Sequence, residues 1–125
     1  MNIKSVNNLI PIAREIANAA DYNKQFRHVS IITSGKSIVA IGENGHKTHT
    51  LAQELDYKYY VVHSELDAFS KIRYRNGNFV LINFRFNRAG ELCNSRPCRY
   101  CMPWCVEFFD SIFYSNKIGE MVKLK

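Results

Sequence analysis

The 125-residue chain contains no apolar run near the roughly 20 residues of a bilayer-spanning helix. Its first twenty residues break every apolar stretch with Asn7, Asn8, Arg14, Glu15 or Asn18, a pattern unlike a secretory leader. The expectation is a soluble, cytoplasmic protein with no membrane partner. Only 3 prolines and 6 glycines occur, scattered as punctuation, which excludes a collagen-like repeat or a flexible linker. Acidic residues are scarce as well: 11 Asp and Glu stand against 17 Lys and Arg, and the resulting net charge of +6 favours anionic partners. Cysteine is confined to Cys93, Cys98, Cys101 and Cys105. Thiols so clustered close no large loops, so a disulfide framework is disfavoured and a metal site favoured.

What is present is a folded domain. Hydrophobic residues make up 46% and charged residues 22%, and the length suits one domain over residues 1–125 with a core that needs no disulfide. Val6, Leu9, Ile10, Ala13, Ile16, Ala17 and Ala20 recur at helical spacing, with Asn7 or Asn8 as cap and Pro11 in the first turn. Residues 29–33 and 37–41 are β-branched runs joined by Ser34-Gly35-Lys36, a hairpin. The spacing predicts a polar loop over 42–50, a helix over 63–74 and a strand over 79–86, with a turn at 87–90. A helix over 98–110 follows Pro97, and strands at 112–115 and 121–124 close the chain as an antiparallel hairpin. Strands alternating with helices, and hairpins at both ends, imply an α/β fold with a mixed sheet covered by helices.

Two short patterns carry chemistry. His63-Ser64-Glu65 opens one predicted helix and Pro97-Cys98-Arg99-Tyr100-Cys101 opens another. On a helix, Cys98 and Cys101 project from one face and share an ion, and the helix N-terminus stabilises their thiolates. His63 supplies a third ligand, which leaves one position of a zinc ion for water. Glu65 is too near His63 to ligate alongside it and is placed as a proton shuttle.

His63-x-Glu65 followed by Pro97-Cys98-x-x-Cys101 resembles the signature of the zinc-dependent cytidine and deoxycytidylate deaminase superfamily. Lys47-Thr48-His49, Gly90-Glu91-Leu92, Asn94-Ser95-Arg96 and Tyr114-Ser115 are similar to stretches in deaminase-like proteins of phages and large DNA viruses. The resemblance implies a three-layer, cytidine deaminase-like fold with a five-stranded mixed sheet. It implies one Zn2+ per chain on His63, Cys98 and Cys101, with Glu65 as the catalytic acid and base. Asn44 falls where the family places a sugar-binding asparagine, and Ser95 where a backbone carbonyl receives the exocyclic amine. The activity implied is hydrolysis of cytosine to uracil and ammonia in a nucleoside or nucleotide, by a chain that forms homo-oligomers. The terminal hairpin resembles the branch that acts on free nucleosides.

Alternatives stay open at this stage. Cys93, Cys98 and Cys101 match the spacing of an iron–sulfur ligand run, although Cys105 does not continue it and His63 and Glu65 then have no role. A structural zinc protein without turnover is a further reading. Cys105 is otherwise a small core hydrophobe and Cys93 a free thiol. Residues 71–99 hold Lys71, Arg73, Arg75, Arg85, Arg88, Arg96 and Arg99 against Glu91 alone. Such a segment suits single-stranded DNA or RNA as substrate, or, at Arg96, Lys47 and His49, the phosphate of a nucleotide. A solvated basic face is the plainer reading of the same charges. Tyr60, with Tyr57 and Tyr59, is a candidate wall for the base, and Tyr100 and Trp104 are read as packing or interface residues.

Overall fold

A computed structural model describes residues 1–19, 27–45 and 63–125. Its elements are α1 (Ile3–Asn7), α2 (Ile10–Ala19), β1 (Arg27–Ser34), β2 (Ser37–Glu43), α3 (Ser64–Ser70), β3 (Val80–Phe86), α4 (Met102–Phe108), β4 (Ser111–Ser115) and β5 (Met121–Lys123). The single N-terminal helix expected from periodicity is thus two. Asn2 caps α1 by accepting from the Ser5 N–H at 2.9 Å, and the helix ends at Asn8. Pro11 cannot donate, so it fits only the first turn of a new helix. The Leu9 N–H to Val6 carbonyl bond and the Ala13 N–H to Leu9 carbonyl bond keep the apolar stripe in line across the break.

The five described strands form one sheet in the order β2-β1-β3-β4-β5. β1 and β2 pair as the expected hairpin, with Ser34 opposite Ser37 and Gly35 at φ 61° turning the chain where a side chain would be strained. β1 is also antiparallel to β3, β3 and β4 are parallel through the α4 crossover, and β4 and β5 close as an antiparallel pair. The sheet is therefore mixed, as the hairpins at both ends implied.

Alternation along the strands feeds two cores. Val29, Ile31, Ile82, Phe84 and Phe113 face α1 and α2 and meet Val6, Ala13 and Ala17. Ile32, Leu81 and Ile112 face α3 and α4 and meet Leu66, Ala68, Cys105 and Phe109. Helices thus cover both faces, giving three layers. α3 lies against β2 so closely that a Cβ on Gly42 would stand 2.8 Å from the Ala68 Cα and closer still to the Ser64 carbonyl oxygen and the Ala68 nitrogen. No helix among the described residues is long and apolar enough to cross a membrane.

Candidate metal centre and buried acid

The face that packs on α3 and α4 becomes polar toward one end. Antiparallel register sets Ile32 opposite Leu81, then Ser30 opposite Asn83, then His28 opposite Arg85, all on that face. α3 begins over the polar part. His63 is its N-cap residue in extended conformation, at φ −87° and ψ 148°, and its ring makes no capping bond. Ser64 and Glu65 follow in the first turn, both buried. Gly42 makes the approach possible, because the helix rests on its bare Cα.

The cysteines arrive from a different element than expected. A helix over 98–110 was the sequence expectation, but α4 starts at Met102, with Pro103 in its first turn. A helix begun at Cys98 would carry Pro103 in its interior, where the ring removes a hydrogen bond and collides with the preceding turn. Cys98 and Cys101 instead sit in the turn that leads into α4, closed by the Met102 N–H donating to the Cys98 carbonyl at 2.8 Å. That turn swings both thiols to the His63 ring. The Cys98 and Cys101 Sγ atoms lie 3.5 and 3.7 Å from His63 Nδ1. The three ligand atoms lie within 4.8 Å of one another, the one such group among the described residues.

These donors fit zinc. Tetrahedral bonds of about 2.0–2.1 Å to nitrogen and about 2.3 Å to sulfur put N and S roughly 3.6 Å apart, close to both observed separations. The electrostatics agree. Cys98 is lowered from 9.0 to about 4, first by its hydrogen bond with Cys101, then by His63 and by the backbone amides of Cys101 and Tyr100. Amides of the turn thus contribute what the helix N-terminus was expected to contribute. His63 is raised by the Cys98 hydrogen bond against the cost of burial. Thiolate is the form a metal takes up.

Beside this cluster runs a chain of buried polar groups. The Ser64 hydroxyl contacts Glu65 Oε1 at 3.0 Å and the Ser30 hydroxyl at 2.8 Å, and Ser30 donates to Asn83 Oδ1 at 2.7 Å. Asn83 Nδ2 donates to the Ser95 carbonyl at 3.3 Å. That carbonyl accepts only, so it fixes which end of the amide faces Ser30. Three contacts between Glu65 and Asn83 share two hydroxyl protons while the carboxylate is ionised, and a proton on Glu65 completes all three.

Ser95 is itself pinned. Its hydroxyl donates to the Asn83 carbonyl at 2.8 Å and accepts from the Ser115 N–H at 2.8 Å, while its own N–H donates to the Ser115 carbonyl at 2.8 Å. With the Cys93 N–H on the Arg85 carbonyl at 2.8 Å, residues 93–95 fill a split between β3 and β4 beyond their last pair, Asn83 and Tyr114.

Of the other residues singled out from sequence, Asn44 stands at the end of β2, where its Oδ1 accepts from the His28 N–H at 3.0 Å. Arg96 is exposed, with its N–H on Asn94 Oδ1 at 3.2 Å. Lys47, His49, Tyr57, Tyr59 and Tyr60 lie outside the described residues. Cys105 is fully buried in the core and its thiol is pushed up by burial, while Cys93 donates to the Glu91 carbonyl at 3.5 Å. Several cations of residues 71–99 have structural roles: Lys71 pairs with Asp67, Arg75 lies 4.0 Å above the Phe69 ring and Arg99 bonds the Tyr100 hydroxyl at 2.8 Å. Trp104 packs on Phe69 and Phe109. Sequence reading missed Ser30, Asn83 and His28, and took Arg85 only as one member of a basic segment. A signal existed, since Asn83 is an amide at the centre of the most apolar strand.

Solved structures share this architecture. The dCMP deaminase from the cyanophage S-TIM5 is 17% identical, with a TM-score of 0.62 over 94% of this chain and 86% of that one. A cytidine deaminase from Mycobacterium leprae is 12% identical, with a TM-score of 0.60 over 94% of this chain and 91% of that one. A mutant cytidine deaminase from Mycobacterium tuberculosis is 15% identical, with a TM-score of 0.54 over 86% and 82%. No protein-family profile and no curated protein sequence matches the chain. The order of its strands and the helices on both faces give this protein the cytidine deaminase-like fold.

Proposed function

We propose that the protein is a zinc-dependent hydrolase that converts cytosine to uracil and ammonia in a nucleoside or nucleotide, with the whole chain acting as one such domain. The observation that carries this reading is the convergence of His63, Cys98 and Cys101 beside a buried glutamate on the adjoining helix turn. His63 through Nδ1 and the two cysteines through Sγ would hold the ion. Zinc, when bound, supplies a Lewis acid that brings the pKa of water toward 7. Glu65 accepts one proton from the attacking water and passes it to the ring nitrogen N3 of cytosine. It then delivers the second water proton to the amine leaving C4, so that uracil keeps one proton and ammonia takes the other. Ser64, Ser30 and Asn83 give the protonated carboxyl a full set of partners between those two transfers. The Ser95 carbonyl, which accepts from Asn83 Nδ2, receives the amine, and Asn44 meets the sugar. Lys47, His49 and Arg96 are the candidate phosphate contacts and Tyr60 the candidate wall for the base.

The terminal hairpin formed by β4 and β5 supports the small substrate over a polynucleotide, while Lys71, Arg75 and Arg99 remain exposed and leave the second reading to the test. The test is a mass-spectrometric competition between deoxycytidine, its monophosphate and a cytosine-containing single-stranded oligonucleotide, with Glu65→Ala in parallel. A gain of about 1 Da confined to the small molecules and lost in Glu65→Ala is expected. Conversion of the oligonucleotide refutes the small-substrate reading, and turnover in Glu65→Ala refutes the acid–base assignment. The four cysteines form no disulfide with one another, which suits a reducing, cytoplasmic setting. Ile38 and Val39, exposed on β2, support a homo-oligomer, which a monomeric sedimentation profile at micromolar concentration would refute.

A further inference from the structure

Two groups that the proposed reaction needs, the Glu65 carboxylate and the Ser95 carbonyl, stand on chain segments that are remote in sequence. One is in α3, the other in the segment lodged between β3 and β4. Their separation has to match one substrate, since the proton donor serves N3 and the departing amine while the carbonyl holds that amine. Neither segment fixes this separation alone.

The described contacts between them converge on one residue. Asn83 is 3% exposed at the centre of β3. Its Oδ1 accepts from Ser30, which contacts Ser64, which contacts Glu65. Its Nδ2 donates to the Ser95 carbonyl, and its own backbone carbonyl accepts from the Ser95 hydroxyl. The amide therefore spans the two arms as a rigid plane, with one arm at each end. We propose that Asn83 is the positioning residue of this site, setting the spacing between the Glu65 carboxylate and the Ser95 carbonyl. The functional meaning of that spacing rests on the deaminase reading. The coupling itself does not, because it is built only of hydrogen bonds among the residues named.

No link of the chain is His63, Cys98 or Cys101. Breaking it should therefore separate alignment from metal holding. Asn83→Asp preserves shape and keeps the acceptor toward Ser30, but turns an oxygen toward the Ser95 carbonyl where an N–H donated. Ser30→Ala cuts the opposite arm and leaves Asn83 on Ser95.

The experiment uses the zinc-loaded full chain as wild type, Asn83→Asp, Ser30→Ala, Ser64→Ala and Ser64→Thr. It measures zinc content, kcat and KM on deoxycytidine and its monophosphate, and the carbon-13 resonances of the Glu65 carboxyl and the Ser95 carbonyl. In Asn83→Asp, zinc stays at one per chain and KM stays within about threefold, while kcat falls roughly 10²-fold, the loss typical of a misalignment near 1 Å. Both resonances move together. Ser30→Ala and Ser64→Ala lower kcat in the same manner, and Ser64→Thr, which keeps the hydroxyl, recovers it. The proposal is overturned if Asn83→Asp keeps kcat within about twofold, or if its loss lies in KM alone. Loss of zinc in step with activity overturns it too, since the chain is then a scaffold for the ligands. If Asn83→Asp does not fold, Ser30→Ala decides by the same criteria. Wild-type protein inactive on both compounds refutes the deaminase reading instead, and the resonances then decide alone: joint movement upholds the coupling, and unmoved signals end it.

Discussion

Replacing Gly42 by alanine adds one methyl group at the point where β2 carries α3. The new Cβ would lie 2.8 Å from the Ala68 Cα and nearer still to the Ser64 carbonyl oxygen and the Ala68 nitrogen. All three are backbone atoms, so no side-chain rotation relieves the overlap. Ordinary contact requires α3 to withdraw by about 1 Å, and overpacking of this kind costs about 1–3 kcal/mol, toward the upper end where backbone must move. About 3 kcal/mol in a domain of this length lowers the midpoint of thermal unfolding by roughly 10 °C. His63 and Glu65 belong to the part that moves. A shift of about 1 Å would take the His63 Nδ1 to thiol separations of 3.5 and 3.7 Å beyond the reach of one zinc ion. Metal affinity should then fall along with stability, and turnover roughly 10²-fold. Thermal unfolding with a zinc competition titration on the same sample reads both. A Gly42→Ala protein with unchanged midpoint and unchanged zinc affinity would refute the close packing of α3 on β2.

Three further outcomes are expected. Burial, then the charges of Arg85 and His63, lowers His28 from 6.5 to about 4, so the folded protein holds it neutral where the unfolded chain protonates it. The unfolded state binds more protons between those values, so this contribution of about 3 kcal/mol is present above pH 6.5, is lost as pH falls to 4, and is constant below. Denaturant titrations of metal-free wild type and His28→Gln should differ in that window, and parallel curves would contradict the assignment. Cys98, lowered to about 4, is already a thiolate at pH 6, so its alkylation in metal-free protein should be nearly independent of pH from 6 to 8. A tenfold rise per pH unit, followed by peptide mapping, would refute that. Cys105→Ser buries an extra hydroxyl at a cost of about 1–3 kcal/mol and leaves zinc content intact, whereas Cys101→Ser loses zinc; metal analysis that reverses the two would exchange their roles.

The strands were readable because β-branched residues cluster in them, and the sheet was readable as mixed because short turns mark both hairpins. Helix starts were less readable. Both Pro97 and Pro103 can open a helix, and Pro103 decides between them, because a helix begun at Cys98 would carry it in the interior. At the N-terminus the apolar period runs unbroken through Asn8, although the backbone does not. The grouping of His63, Cys98 and Cys101 was legible because the two short patterns together resemble a known signature, and the structure brings these three side chains together. Ser30, Asn83 and Ser95 were not legible as a network, since their partnership comes from strand register rather than from any sequence pattern. Asn83 in an apolar strand was the one visible trace.

The lodging of residues 93–95 between β3 and β4 dictates where the chain can change length. Ser95 is stitched to both strands, and three residues later Cys98 must meet His63. One inserted residue adds up to about 3.3–3.6 Å of chain, the whole separation of that thiol from its histidine. The turn at 116–120 hangs from a sheet end and should absorb insertions more readily than the turn at 87–91, whose Asn87 and Gly90 carbonyls accept from Arg27 and Arg14. Between Ser95 and Cys98 the number of residues is a harder constraint than their identity.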